Sequence, residues 1–299
     1  MNKIQTSRIA LVRTDDRIAG VNKALKLLGL NPAMDKAVAL KPNFNTADPF
    51  PASTHNDTLQ TLITNLQQMG ATRVVVADRS GPAETRRVME KKGIFKMAEQ
   101  LGFEAVNLEE SPNGWVHLDP PGSHWIKGFD FARLFYDAEC IVETCCLKTH
   151  QYGGHFTMSL KCTVGMVSRS NMNELHSSPH QRKLIAEMNT AYSPSLIVLD
   201  GIEAFVSGGP MTGKKATANV ILAGSDRIAI DASGVAILRS LGTTPEVSRG
   251  PVFAQEQIAR GIELGLGISK PEHIEFVTGD KESAAYARQL KEILAVSAP

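Results

Sequence analysis

Four short apolar runs in this chain each break off into polar residues, and this pattern constrains the fold more than any other feature. AVAL (Ala37–Leu40) runs into Lys41, Pro42 and Asn43; VVVA (Val74–Ala77) into Asp78; CIVETCCL (Cys140–Leu147) into Lys148, Thr149 and His150; LIVL (Leu196–Leu199) into Asp200 and Gly201. Short apolar runs of this kind read as strands buried in a parallel sheet. Further strands are expected at Arg8–Arg13, Glu104–Leu108, Val220–Ala223 and Ile274–Val277.

Helical periods fill the gaps. Ile18, Val21, Leu25 and Leu28 share one face of Arg17–Leu28, and Leu59, Leu62, Ile63, Leu66 and Met69 one face of Leu59–Met69. Glu84–Leu101, interrupted near Gly93, Gln181–Met188, Ile228–Leu241, Val252–Leu264 and Ala284–Leu294 also read as helices, and Asn113–Gly128, rich in Pro and Gly, as loop. Strands alternating with helices imply βαβ units. The expected fold is α/β, a mostly parallel sheet with helices on both faces, and 299 residues suit a single α/β domain over 1–299.

In open parallel sheets ligands bind outside the carboxyl ends of the strands. If the four strands are neighbours, their polar endings fall on one edge, although an Asp after a strand serves equally as a turn residue or helix cap. Pro42 fixes the backbone after Lys41, and Asn43 and Asn45 share a face with Lys41 in an extended segment. Lys148 and His150, two apart, likewise share a face. Gly153 and Gly154 follow, then His155, Thr157, Ser159 and Lys161, with Ser159–Gly165 opening a helix. Lysines and a histidine around a glycine turn point to an anion site, although the GxxxxGK[ST] order is absent. The loop GGPMTG (Gly208–Gly213) reads as a ligand cover or as a connection. Asp226 reads as a helix cap; Asp231, inside an apolar stretch, needs a partner such as a site lysine.

Net charge of +1 gives no global field for nucleic acid, which is not expected as a partner. No segment approaches the roughly 20 apolar residues of a membrane span. Met1–Arg8 is polar and lacks the apolar region of a signal peptide, so a cytoplasmic location and no membrane partner are expected. Cys140, Cys145, Cys146 and Cys162 form no CxxC or ferredoxin spacing and read as buried thiols or a site thiolate. His176 and His180 have metal-pair spacing, but Pro179 interrupts a helix between them.

The stretches LKPNFN (Leu40–Asn45), VVVADRSG (Val74–Gly81), CLKTH (Cys146–His150), TMSLKCTVG (Thr157–Gly165), His176, VLDGIEAF with GGPMTG (Val198–Gly213) and SDRIAIDA (Ser225–Ala232) resemble, in this order, the domain-of-unknown-function 362 family. The resemblance spans Val38 to Leu241. It marks Lys41, Asn43, Asp78, Lys148, His150, Lys161, Gly165, His176, Asp200, Gly209, Pro210, Gly213, Asp226 and Asp231 as motif positions. Cys162 stands where an asparagine is common in the family. Some relatives carry ferredoxin-like iron–sulfur segments, which have no counterpart here.

The expected activity is that of an enzyme on a small anion, a carboxylate or phosphate, with isomerase-, racemase- or lyase-like proton transfer. Lys148, His150, Lys161 and His176 are the candidate catalytic residues. Lys41, Asn43, Asn45, Asp78, Gly153, Gly154, Asp200, Gly209, Gly213 and Asp231 are the candidate ligand-binding residues. One alternative is an oxidoreductase or cofactor-binding protein, although no GxGxxG follows a strand. The other is a non-catalytic metal- or ligand-binding protein using His150, His155, His176 and the aspartates. The sequence leaves the cofactor and the metal unknown and a homo-oligomer open.

Overall fold

The computed structural model describes residues 6–296. Residues 1–5 and 297–299 lie outside it, and with them most of the polar Met1–Arg8 stretch. The strands are β1 (Ser7–Arg13), β2 (Ala37–Lys41), β3 (Arg73–Asp78), β4 (Glu104–Asn107), β5 (Trp115–Leu118), β6 (Phe129–Ala132), β7 (Cys140–His150), β8 (His155–Thr157), β9 (Leu196–Gly208), β10 (Gly213–Gly224) and β11 (Ile274–Val277). The main sheet runs β11-β1-β10-β9-β7-β2-β3-β4, with β8 folded back on the end of β7. Along this order only β10 opposes its neighbours; β9, β7, β2, β3 and β4 are mutually parallel, as are β1 and β11.

The α/β architecture therefore stands as expected, and the four apolar runs are adjacent strands in the order β9-β7-β2-β3. Helices cover both faces. On one, Val21, Leu25 and Leu28 of the Arg17–Leu28 helix and Leu59, Leu62 and Leu66 of the Asn56–Gln68 helix pack on Val38, Leu40, Val76 and Val142. On the other, Ile228, Ala232 and Val235 of the Arg227–Ser240 helix pack on Cys145, Leu147, Ile197 and Leu199. Asp226 caps that helix, accepting from Ala229 N at 2.9 Å.

Three segments differ from expectation. Asn113–Gly128 holds β5, which pairs with β6 in a small antiparallel sheet. β7 runs through Lys148 and Thr149 to His150, and β9 runs on to Gly208 because β10 pairs along it from Gly208 back to Ile197. Among the described residues no helix is long and apolar enough to cross a membrane.

Candidate functional site

A cavity of about 460 Å³ opens where β2 and β3 end and β7 continues past them. Lys41, Asn43, Asn45, Asp78, Lys148, His150, Lys161 and His176, drawn from segments far apart in sequence, all line it. Lys41 closes β2 and Asp78 closes β3, and their side chains meet at Nζ–Oδ1 2.7 Å with almost no exposure. Asp78 also accepts from Phe44 N (2.7 Å) and Arg79 N (2.8 Å). Burial, the largest single influence, would lower the Lys41 pKa, but Asp78, Cys162 and Glu143 together turn the net direction up; burial raises the Asp78 pKa against the pull of Lys41. The 3-10 turn Thr163–Met166, which follows the helix carrying Lys161, approaches this pair at Gly165, where a Cβ would come within 2.7 Å of Lys41 Nζ.

Lys148, fully buried on β7, donates to Asn43 Oδ1 (2.8 Å), Ala52 O (2.6 Å) and Pro210 O (3.4 Å) and meets no carboxylate. Its pKa is lowered, first by burial. Lys161 sits on the short Ser159–Cys162 helix, 6% exposed. Among the described residues its ammonium has no hydrogen-bond or ion-pair partner. Burial, then Lys148 and Arg79, bring its pKa down to about 7.

The two histidines carry their protons on different nitrogens. His150 Nδ1 accepts from Gly154 N at 3.3 Å, so the ring proton is on Nε2. His176 Nδ1 lies 2.7 Å from Met172 O, an acceptor only, so this ring carries its proton on Nδ1 and leaves Nε2 as a base. Burial, and then Lys161 and Lys148, hold the His150 pKa far below the ordinary imidazole value; His176 is lowered more mildly, first by partial burial.

Several expected ligand residues lie elsewhere. Asp200 is inside β9 and faces the helix layer, where Arg17 Nε (3.0 Å), Thr58 Oγ1 (2.6 Å) and Ile202 N (3.2 Å) satisfy it. Asp231 pairs with no lysine: it accepts from Ser159 N (2.8 Å) and Leu160 N (3.1 Å), anchoring the start of the helix that bears Lys161. Gly153 packs against the Gln181 side chain, Gly209 against the Thr149 carbonyl and Gly213 against the Ser207 carbonyl. At Gly209 and Gly213 the missing side chain permits close backbone approach, whereas Gly153 holds a positive φ of 80°. Gly154 lies behind the lining, where a Cβ would stand 2.9 Å from His150 Nδ1 and 3.1 Å from Lys161 Cε. From the Gly208–Gly213 loop it is Pro210 and Met211 that reach the cavity.

Sequence reading missed Arg79 and Arg169, which also line the cavity. Arg79, directly after Asp78, is 2% exposed and donates to Val167 O (2.7 Å), Ser80 O (2.9 Å) and Val164 O; burial lowers its pKa to about 10. Arg169 pairs with Glu109 at 2.6 Å. Five basic side chains thus line the cavity with one carboxylate, Asp78. Two buried polar atoms of the lining, Thr157 Oγ1 and Asn45 Nδ2, have no partner among the described residues. All four cysteines are buried and unpaired, and Cys162, the one in the lining, has its thiol pKa raised by burial. His180 packs against His124 with the rings tilted by 54° and their centroids 4.8 Å apart. Among the described residues no three His, Cys, Asp or Glu side chains group to hold a metal ion.

Fold and site together define an α/β protein with a cation-lined cavity at the carboxyl ends of parallel strands. The chain belongs to the family described as Domain of unknown function (DUF362), whose model matches residues 38–236. Among solved structures it is similar to the lactate racemase apoprotein from Thermoanaerobacterium thermosaccharolyticum, at 15% identity and a TM-score of 0.46. That match covers 74% of this chain and 54% of the other, so this chain spans about half the length of that protein. A search of curated proteins finds no match.

Proposed function

We propose that this chain is an enzyme that holds a small carboxylate or phosphate compound in the cavity and moves a proton on it, with the isomerase, racemase and lyase classes as its range. The observation that carries this reading is the charge imbalance: of the five basic side chains that line the cavity, Lys41 is matched by Asp78 and Arg169 by Glu109, whereas Arg79, Lys148 and Lys161 form no ion pair among the described residues. Buried cations without counter-charges are costly, and an incoming anion relieves that cost. Lys41 is committed to Asp78, so Lys148 and Lys161 are the lysines with charge to share.

In this reading His176 Nε2 takes the proton. His150, kept neutral, donates from Nε2–H to the oxygen on which charge develops, next to Lys148. Lys161, titrating near neutrality, serves as the second acid–base group. The sheet and cavity act as one α/β domain.

The test is thermal denaturation with sulfate, phosphate and simple 2-substituted carboxylates, alongside proton NMR of the carboxylates in deuterated buffer. Stabilisation by the anions, lost in Lys161→Gln, and Cα–H exchange with at least one carboxylate are expected. Lys161→Gln is chosen because no protein partner is orphaned by it. Absence of stabilisation by any anion would remove the reading.

A further inference from the structure

We infer that Lys161 is a nucleophile that forms a Schiff base with an aldehyde or ketone carrying an anionic group. This rests on the anion-site reading above and narrows its substrate to carbonyl compounds. Three observations place the reaction at this nitrogen. Lys41 and Lys148 are bound to protein acceptors through Nζ, whereas Lys161 Nζ faces the cavity with none among the described residues. Gly154 leaves the space beside the Lys161 stem that any larger residue would fill, a Cβ there standing 3.1 Å from Cε. Thr157, 5% exposed, lines the same cavity, and its Oγ1 has no partner among the described residues. This hydroxyl is free to hydrogen-bond the oxygen of a carbinolamine.

The chemistry closes without an external reagent. The Lys161 ammonium first gives one proton to His176 Nε2, and the free amine adds to the carbonyl carbon. The C=O π pair moves to oxygen, which takes that proton. Nε2 then accepts a second proton from the nitrogen and delivers it to the hydroxyl, which leaves as water while the nitrogen lone pair forms the C=N bond and the nitrogen keeps its last proton. The protonated imine draws electrons from the neighbouring carbon and acidifies its C–H. The carboxylate or phosphate of the same molecule is held by Lys148, which exchanges its long 3.4 Å contact with Pro210 O for the anion. The low proton affinity of Lys161 supplies free amine near neutral pH, where an ordinary lysine is almost wholly protonated.

The experiment treats the intact protein with pyruvate or glyceraldehyde 3-phosphate in the presence of cyanoborohydride, followed by intact-mass measurement and peptide mapping. Parallel melting curves are taken with sulfate and with the non-carbonyl acid lactate. The expected result is one reduced adduct at Lys161 with at least one probe, several-fold faster than at any other lysine and lost in Lys161→Arg and Lys161→Gln. Free sulfate should slow it. Sulfate or lactate stabilisation without an adduct at Lys161 overturns the Schiff base and keeps the anion site. Adducts spread over surface lysines and unchanged in Lys161→Gln also overturn it. Neither anion stabilisation nor an adduct overturns both.

Discussion

His150 and His176 line one cavity with their Nδ1 atoms in opposite roles, accepting from Gly154 N in the first and facing the Met172 carbonyl in the second. One ring therefore presents an N–H and the other a lone pair, a division set by backbone on two unrelated segments. Nitrogen-15 NMR of ring-labelled protein should find His150 as the Nε2–H tautomer and His176 as the Nδ1–H tautomer.

The same burial links His150 to stability. Its folded pKa lies below the unfolded value of 6.5, so the unfolded chain binds the proton more readily. The contribution is fully present above 6.5 and is lost as pH falls below it, at about 1.4 kcal/mol per pH unit for one proton. Urea unfolding across this range should show that slope, and His150→Asn should flatten it. A slope unchanged in the variant would contradict the assignment.

Lys161 predicts a pH dependence of binding with the opposite functional sense. Its ammonium favours anions and deprotonates near pH 7, whereas sulfate keeps its charge there. Sulfate affinity should fall as pH rises through about 7, by about tenfold, the worth of one charge-assisted hydrogen bond. Calorimetric titration of wild type and Lys161→Met checks this, the step being absent from the variant. For stability the depressed lysine contributes fully above 10.5 and its contribution is lost as pH falls toward 7.

The Lys41–Asp78 pair is a structural anchor as much as a part of the lining. Removing one partner strands a buried charge, so Lys41→Met or Asp78→Asn should each cost about 3–5 kcal/mol. The double variant should cost clearly less than the two singles together, because the stranded charge is then absent. Gly165→Ala should also destabilise, by about 1–3 kcal/mol, since its methyl group would press on the pair. Chemical denaturation of the four variants is the measurement.

How far the sequence disclosed this arrangement follows from what periodicity can and cannot encode. Apolar runs reveal strands, and the polar residues that end AVAL and VVVA mark the sheet edge because both strands do stop there. Asp200 carries the same local signature yet faces Arg17 and Thr58. Its strand continues for eight more residues, a consequence of pairing with the antiparallel β10 that no local pattern announces. Arg79 escaped notice for the reverse reason. An arginine after a strand usually points to water, and only the returning Val164–Val167 backbone makes it a buried donor. Such long-range satisfaction of polar groups lies beyond what residue spacing conveys.

Asp231 supplies the last prediction. It holds the first two N–H groups of the helix that carries Lys161, and burial pushes its pKa up to about 8, against the pull of those two N–H groups. A carboxyl whose folded pKa exceeds the unfolded 3.8 contributes fully below 3.8, and that contribution is lost as pH rises toward 8. Asp231→Asn keeps an acceptor for one N–H and has no proton to lose. It should therefore be close to wild type in mildly acidic buffer and gain on it in alkaline buffer. Asp231→Ala leaves both N–H groups buried and unpaired, and should lose about 1–3 kcal/mol at every pH. Because the helix start positions the amine, Asp231→Ala should also blunt the sulfate response while Asp231→Asn preserves it. Equal behaviour of the two variants across the pH range would mean that the carboxyl is not the support of this helix.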